Sequence, residues 1–332
     1  MTVAVVKDER TSRSIKRYTS LIEAIDNYET YTIPKSKYRL YSLVHKYLVI
    51  PAKLAFSKHK KIILPSERYS YLLLFLHHKK VFIVCHDLHD LMDKSSSWWR
   101  RCLDRNFIKL LRYSTKIICV SEHTKEDLAR IIEERFLSKV TVIHNPVEEF
   151  WFENVQINDS KFAALKKRQF ILLVGTNAWY KNIRETLKAL AKVKSSLIVR
   201  VGAVDPDLLS LFEEDQLIQF NGITEKELQW LYQNAALFLL PSIHEGFGWP
   251  VLEAMASGCP VVVSDRASIP EVAGDAGLYF SPYDMGQMLK NINKVLLDRD
   301  LQLEMSEKGK AIAFKFRFDI YQSRFSNVLN KE

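Results

Sequence analysis

Short apolar runs rich in β-branched residues alternate with amphipathic stretches of helical length along the whole chain, and that alternation constrains the fold more than any other feature. Runs at TVAVV (2–6), TYTI (30–33), KIIL (61–64), VFIVC (81–85), KIICV (116–120) and KVTVI (139–143) read as strands in the first half. Runs at QFILLV (169–174), LIVRV (197–201), IQF (218–220), LFLL (237–240), PVVV (260–263) and LYF (278–280) do so in the second. Strands separated by helical stretches predict parallel sheets wrapped by helices. The clearest helix covers 121–136, with Ser121 as cap and Leu128, Ile131 and Ile132 as its apolar stripe. Thr224 and Glu227 form a capping box ahead of LFLL. A length of 332 residues accommodates two such domains. The stretch PVEEFWFENVQINDS (146–160) lacks periodicity and ends in turn formers, so the linker is placed there. The expectation is α/β, with two doubly wound domains at 1–150 and 151–316 and a final helix within 317–332. Open parallel sheets bind ligands at the carboxyl ends of their strands, and two such domains facing each other would enclose a cleft between those ends.

Composition narrows the classes of function. No apolar run approaches the roughly 20 residues of a membrane span, and the N-terminus reads as a strand followed by charges rather than a signal peptide. Cys85, Cys102, Cys119 and Cys259 have neither metal nor disulfide spacing, and their apolar neighbours suggest buried thiols in a reducing cytoplasm. Residues 1–145 hold 27 Lys and Arg against 15 Asp and Glu, whereas 146–332 hold 21 against 24. The basic excess therefore belongs to the first half. Between Glu29 and Glu67 there is no acid, while Lys35, Lys37, Arg39, Lys46, Lys53, Lys58, Lys60 and Lys61 crowd the segment. Leu40, Leu43, Val44, Tyr47 and Leu48 recur among them at helical spacing. That describes either a basic amphipathic helix lying on anionic lipid through residues 35–61, or a solvated helix whose stripe faces its own core. No nucleic-acid motif accompanies the charge, so nucleic acid is not expected as a partner.

The stretch SIHEGFGWPVLEAMASG (242–258) follows the strand LFLL, so its turn lies at a carboxyl end. Pro250 suits the start of the next helix and Gly258 its end. Gly246 and Gly248 carry no side chain to obstruct a ligand, and the N–H groups of a helix start favour an anion such as pyrophosphate. Glu253 falls about one turn into that helix and Glu245 stands before it. Two acceptor-only carboxylates around an anion-binding turn suit a diphosphate with hydroxyls at both ends, as in a nucleotide sugar. A loop acid in solvent plus a favourable acid near a helix start explains each glutamate singly, but not the Gly-Phe-Gly-Trp-Pro between them.

The spacing of Glu245 and Glu253 resembles the signature of glycosyltransferase family 4, retaining enzymes of the GT-B fold that use nucleotide-sugar donors. The text from 221 to 282 resembles that family's C-terminal domain almost continuously. VGTNAWYKN (174–182) resembles its phosphate-binding segment, and VSEHTKEDL with VIHNPV (120–147) resembles the last strand-helix-strand unit of its N-terminal domain. The resemblance implies that Gly175, Thr176, Asn177, Gly246, Phe247, Gly248 and Glu253 bind the donor. It implies that Lys181 meets the diphosphate, that Glu245 accepts from the sugar, and that His86 reaches the transferred sugar from the N-terminal domain. Glu245, Lys181 and His86 are thus the catalytic candidates.

Two departures stand out. Relatives carry an arginine soon after the strand where this chain has Thr176 and Asn177, a charge that Arg184 or Arg266 would have to supply. Ser14 and Ile15 stand where relatives have a glycine pair, which would narrow the acceptor side. No cofactor or metal is expected, His86 and His89 being weak evidence for one. The last helix is expected to cross back onto the first domain. The resemblance implies a hexosyltransferase acting on a saccharide or lipid-linked acceptor in cell-surface polysaccharide or lipopolysaccharide assembly, cytoplasmic or peripheral on the inner face of the membrane. A non-catalytic GT-B protein that binds a nucleotide sugar or serves as a scaffold in polysaccharide assembly, and a GT-B sugar-nucleotide epimerase or hydrolase, remain alternatives.

Overall fold

The computed structural model describes residues 3–332 except 10, 11, 27, 36, 92–96, 158, 167, 194 and 195, and omits the side chains of Arg13, Arg39 and Asp90. Thr2 of the first strand run, Arg10 and Thr11 of the first turn, Arg39's charge in the basic run and Asn158 of the linker stretch therefore lie outside the described residues.

The chain divides into two units, one of residues 1–144 with 321–332 and one of residues 145–320. The first holds β1 (Val3–Asp8), β2 (Glu29–Ile33), β3 (Lys61–Leu64), β4 (Lys80–Cys85), β5 (Lys116–Cys119) and β6 (Val140–Val142). They form one parallel sheet in the order β2-β1-β3-β4-β5-β6. The second holds β7 (Phe170–Val174), β8 (Leu197–Val201), β9 (Leu217–Phe220), β10 (Leu237–Leu240), β11 (Val261–Ser264) and β12 (Gly277–Phe280). They too form a parallel sheet, in the order β12-β11-β10-β7-β8-β9. Every apolar run read as a strand is one. The inner strands are apolar along their length because helices cover both faces, leaving no side of the pleat for water. Ile62, Ile83 and Ile117 centre the first core, and Ile171, Ile198, Leu237 and Val262 the second.

Capping chemistry acts as expected. Ser121 Oγ accepts from Thr124 N at 3.0 Å, and Thr224 with Glu227 closes a reciprocal capping box. The helix begun at Ser121 is shorter than its pattern suggested, however. It spans Glu122–Ala129, and a 3₁₀ segment follows at Glu134–Lys139.

The stretch read as a linker packs onto the second unit. Val147 N donates to Phe316 O at 2.8 Å, Trp249 Nε1 donates to Pro146 O at 2.9 Å, and Trp151 is buried. The units accordingly part after His144 rather than at 150. From Tyr321 onward the last helix (Phe318–Asn330) counts with the first unit. Tyr321 meets the edge of Tyr18 at 6.0 Å, Phe325 is buried, and Lys61 Nζ donates to the carbonyl of Leu329.

One expectation fails, and one alternative is removed. Cys85, Cys119 and Cys259 are buried but Cys102 is exposed, because it lies on an outward face of the helix Trp98–Lys109. The basic amphipathic segment folds as helix Arg39–Val44, a π-turn His45–Val49 and helix Ile50–Ala55. Among the described residues only Ser42, Ile50, Pro51 and Leu54 are buried within it. Its apolar stripe does not face the unit's own core: Leu40 is 74% and Leu48 66% exposed, and Leu43, Val44 and Tyr47 are exposed as well.

Candidate functional site

In the second unit β7 and β10 are neighbours, yet β7 leads to β8 on one side while β10 leads to β11 on the other. The connections diverge there, so the carboxyl ends of these two strands bound the crevice where open α/β sheets bind ligands. The loops that leave them are the two motif segments. Ile243 N donates to Tyr180 O at 2.7 Å and ties one loop to the other. Lys181 Nζ and Ser242 Oγ both donate to Glu245 Oε1, each at 2.6 Å. The Lys181 and Glu245 side chains are only 13% and 10% exposed, so this is a largely desolvated ion pair. Ser268 Oγ donates to Glu245 O at 2.8 Å and Ser264 Oγ to Ser242 O at 2.6 Å. The serines hold the loop so that its carboxylate sits beside the ammonium.

Gly248 adopts a left-handed conformation (φ 103°) that a side chain would oppose, and it opens the helix Trp249–Ala256 with Pro250 in the first turn. The helix ends at Gly258, also left-handed at φ 79°. The Phe247 ring is buried against Phe316 and Trp249, with centroids 6.0 and 6.5 Å away. The turn Gly246–Gly248 thus presents main chain rather than the Phe247 ring. Glu253 is buried on that helix and accepts a long hydrogen bond from the Tyr232 hydroxyl at 3.5 Å. Tyr232 belongs to the helix Glu225–Asn234 and is itself fully buried. The contacts therefore join Lys181, Ser242 and Glu245, while Glu253 is held by a different partner.

After β7, Gly175 O accepts from Arg200 Nη2 at 2.7 Å, and Asn177 Oδ1 accepts from the same nitrogen at 3.3 Å. Asn177 Nδ2 donates to Asp205 Oδ1 at 3.0 Å. Asn182 is left-handed (φ 53°) and begins the helix Ile183–Leu190, placing Lys181 just before it. Neither arginine considered for the missing charge stands uncommitted. Arg184 pairs with Asp205 at 3.0 Å and also with Asp207, which raises the Arg184 pKa and lowers that of Asp207. Arg266 pairs with Asp265 at 3.1 Å.

His86 lies in the first unit, half-buried at the end of β4. Its Nε2 must donate to Pro65 O at 2.7 Å, since a carbonyl only accepts, and its ring meets the edge of Tyr18 at 4.7 Å. A neutral ring then keeps Nδ1 as an acceptor for a hydroxyl. His86 N donates to Glu67 Oε2 at 3.0 Å, and burial pushes the Glu67 carboxyl above its ordinary pKa. His89 Nδ1 instead bonds the carboxylate of Asp87. Ile15 is buried in the first unit and Ser14 is exposed, so of the two side chains replacing the glycine pair only Ser14 reaches solvent.

Sequence reasoning overlooked Ser242, Tyr232, Arg200 and Gly202. For Arg200 a signal was present, because a charge inside the strand LIVRV contradicts a run otherwise buried on both faces. Ser242 and Tyr232 carried none, their roles depending on long-range approach.

Residues 154–312 match the family described as glycosyl transferases group 1. Over 162 residues the chain is 35% identical to the O-antigen chain mannosyltransferase B of Escherichia coli, covering 45% of this chain and 42% of that protein. Over 263 residues it is 28% identical to the serotype-specific mannosyltransferase WbdA of Escherichia coli, covering 71% of this chain and 32% of that one. The chain spans less than half the length of these two relatives. Among solved structures, Anabaena Alr3699/HepE in complex with UDP and glucose superposes with a TM-score of 0.81 at 14% identity, over 100% of both chains. That likeness is one of fold, the GT-B class of two parallel six-stranded sheets. Over residues 154–312 the chain is thus similar to the glycosyl transferases group 1 family.

Proposed function

We propose that this protein is a retaining glycosyltransferase of family 4 that moves a hexose from a nucleotide sugar to a saccharide or lipid-linked acceptor in surface-polysaccharide assembly. The observation that carries the proposal is the Lys181–Glu245 pair at the strand-order reversal between β7 and β10, beside the main chain of Gly246–Gly248. Names of the relatives, O-antigen and serotype-specific mannosyltransferases, favour mannose as the hexose.

In this reading the donor diphosphate meets Lys181 and the amides of the Gly246–Gly248 turn, and a sugar hydroxyl takes up a place on Glu245. The acceptor oxygen attacks the anomeric carbon on the face from which the diphosphate departs. As the carbon–oxygen bond to the diphosphate breaks, the acceptor proton passes to the departing oxygen. Charge developing on that group is held by Lys181 and the oriented amides, and the proposal requires neither a protein nucleophile nor a metal. His86, in the first unit, offers Nδ1 as an acceptor for a hydroxyl. Incubation with GDP-mannose, UDP-glucose and UDP-galactose, followed by thermal melting and product analysis, tests it. A stabilising donor whose sugar is transferred with its anomeric configuration retained is expected. Hydrolysis or epimerisation without transfer would favour the enzymic alternative, and binding without turnover the non-catalytic one.

Glu253 is assigned to the ribose hydroxyls of the donor. Glu253→Ala is expected to weaken nucleotide binding by about 1.5–3 kcal/mol, the worth of a charge-assisted hydrogen bond, with a smaller effect on turnover. Titration calorimetry with the nucleoside diphosphate checks this, and an unaltered affinity would remove Glu253 from the site.

The exposed stripe Leu40, Leu43, Val44, Tyr47 and Leu48, flanked by lysines, supports peripheral contact with anionic lipid, where a membrane-bound acceptor would be met. Among the described residues no helix is long and apolar enough to cross a membrane. Pelleting with phosphatidylglycerol vesicles is expected to fall with added salt and in the Lys53→Glu/Lys58→Glu variant. Equal pelleting with neutral vesicles would contradict the assignment.

A further inference from the structure

Arg200 is the one guanidinium in the second unit that combines full burial with the absence of a carboxylate partner among the described residues. Its N–H groups donate only to neutral oxygens: Nη1 to Val201 O at 2.9 Å, and Nη2 to Gly175 O at 2.7 Å and Asn177 Oδ1 at 3.3 Å. Nε is buried with no acceptor among the described residues. Burial, opposed by no acid, lowers the pKa of the group to about 10. A cation taken out of water without a counter-ion is among the costliest arrangements a core can hold. A hydrophobic residue would serve β8 better if packing were its only task.

The surroundings are shaped to keep the group where it is. Gly202 has φ 133°, and a Cβ there would lie 2.2 Å from Gly175 O and 2.9 Å from Arg200 Nη2. The glycine thus lets the end of β8 close on the turn after β7 with the guanidinium between them. On the outer side, Arg184 is neutralised by Asp205 and Asp207, so it adds little net positive charge to that turn.

We infer that Arg200 is a positioning residue of the donor site: from behind the Gly175–Asn177 turn it fixes the turn's main chain and supplies the second positive charge felt by the donor diphosphate. This rests on the nucleotide-sugar reading above. The cation that sequence comparison seeks at Thr176 or Asn177 is present, but reaches the site from the neighbouring strand and from inside. A diphosphate arriving at the turn provides a countercharge where the protein partners of Arg200 are neutral oxygens. Because the guanidinium acts through the turn and through its field, it favours the doubly charged ligand over a neutral one sharing the same base. In a low-dielectric surrounding such a field is weakly screened.

The test compares UDP and GDP with uridine and guanosine, titrated calorimetrically into wild type, Lys181→Ala, Arg200→Lys and Arg200→Gln. Wild type is expected to prefer one diphosphate to its nucleoside. Arg200→Gln should reduce that preference about tenfold or more while nucleoside affinity changes by less than about threefold; Arg200→Lys, which keeps the charge, should retain most of it. A second measurement needs no variant: the guanidinium resonances of Arg200 in wild type, assigned through bonds, should shift on adding the diphosphate and not the nucleoside. If neither diphosphate binds wild type, the nucleotide-sugar reading falls and this inference with it. If wild type binds and Lys181→Ala weakens binding, the nucleotide-sugar reading stands. An unchanged preference in Arg200→Gln, or equal loss of diphosphate and nucleoside, or an unmoved guanidinium resonance, then overturns the role of Arg200 alone.

Discussion

Replacing Lys181 by alanine is expected to lower kcat by about 10²–10³-fold, the loss seen when one oriented group stabilising a developing anion is removed. The ammonium is held 2.6 Å from Glu245 Oε1, on a side chain only 13% exposed, so it stands in a place where water screens it weakly. Its partner is the carboxylate of Glu245; with donor bound it would have the diphosphate to attract. Ser242 also donates to Glu245, so the carboxylate keeps one hydrogen bond when the lysine turns to the phosphate. The effect should appear chiefly in kcat, because charge on the leaving group grows as the glycosidic bond breaks. Steady-state kinetics with saturating donor measure it. A kcat within tenfold of wild type would mean that Lys181 is a structural ion-pair partner and no more.

Substituting Gly202 by alanine is expected to be the most destabilising single-methyl change in the second unit, at about 2–6 kcal/mol. Two costs add. A φ of 133° is strained for any residue with a side chain, at about 1–3 kcal/mol, and overpacking adds about as much again. The new methyl would lie 2.2 Å from Gly175 O, and that carbonyl is main chain at the end of β7, so it cannot swing aside as a side-chain tip would. For a unit of this size the melting temperature should drop by roughly 5–20 °C. Calorimetric melting would show it, and a variant that melts with wild type would disprove the close packing of the β8 end against the turn. Nucleotide affinity should fall in the same variant, since the turn and the Arg200 guanidinium share that space.

How much could be read beforehand differs between fold and site. Strands such as KIIL at 61–64 and LFLL at 237–240 are found where their composition put them, because a short apolar run between helical stretches has few other ways to leave water. The capping pairs at Ser121 and Thr224 were equally plain, being interactions across three residues. The exposed stripe at 40–48 was not, since its periodicity is identical whether it faces a core or the solvent. Nor was the partition at His144, because the aperiodic stretch after it is anchored by Phe316 and Trp249, far along the chain.

What the sequence determined by itself was the class of fold, two parallel six-stranded sheets, together with the two loops proposed to hold the donor. Both follow from short-range rules: the period of apolar residues, the caps, and glycines where a turn requires φ above zero. What only the tertiary structure decided was which groups meet. Lys181 and Glu245 are 64 residues apart in the chain, and Arg200 and Gly175 are 25 apart. Their contacts exist because β7 pairs with both β8 and β10, and strand order is a global outcome of packing helices on a twisted sheet that no local segment encodes.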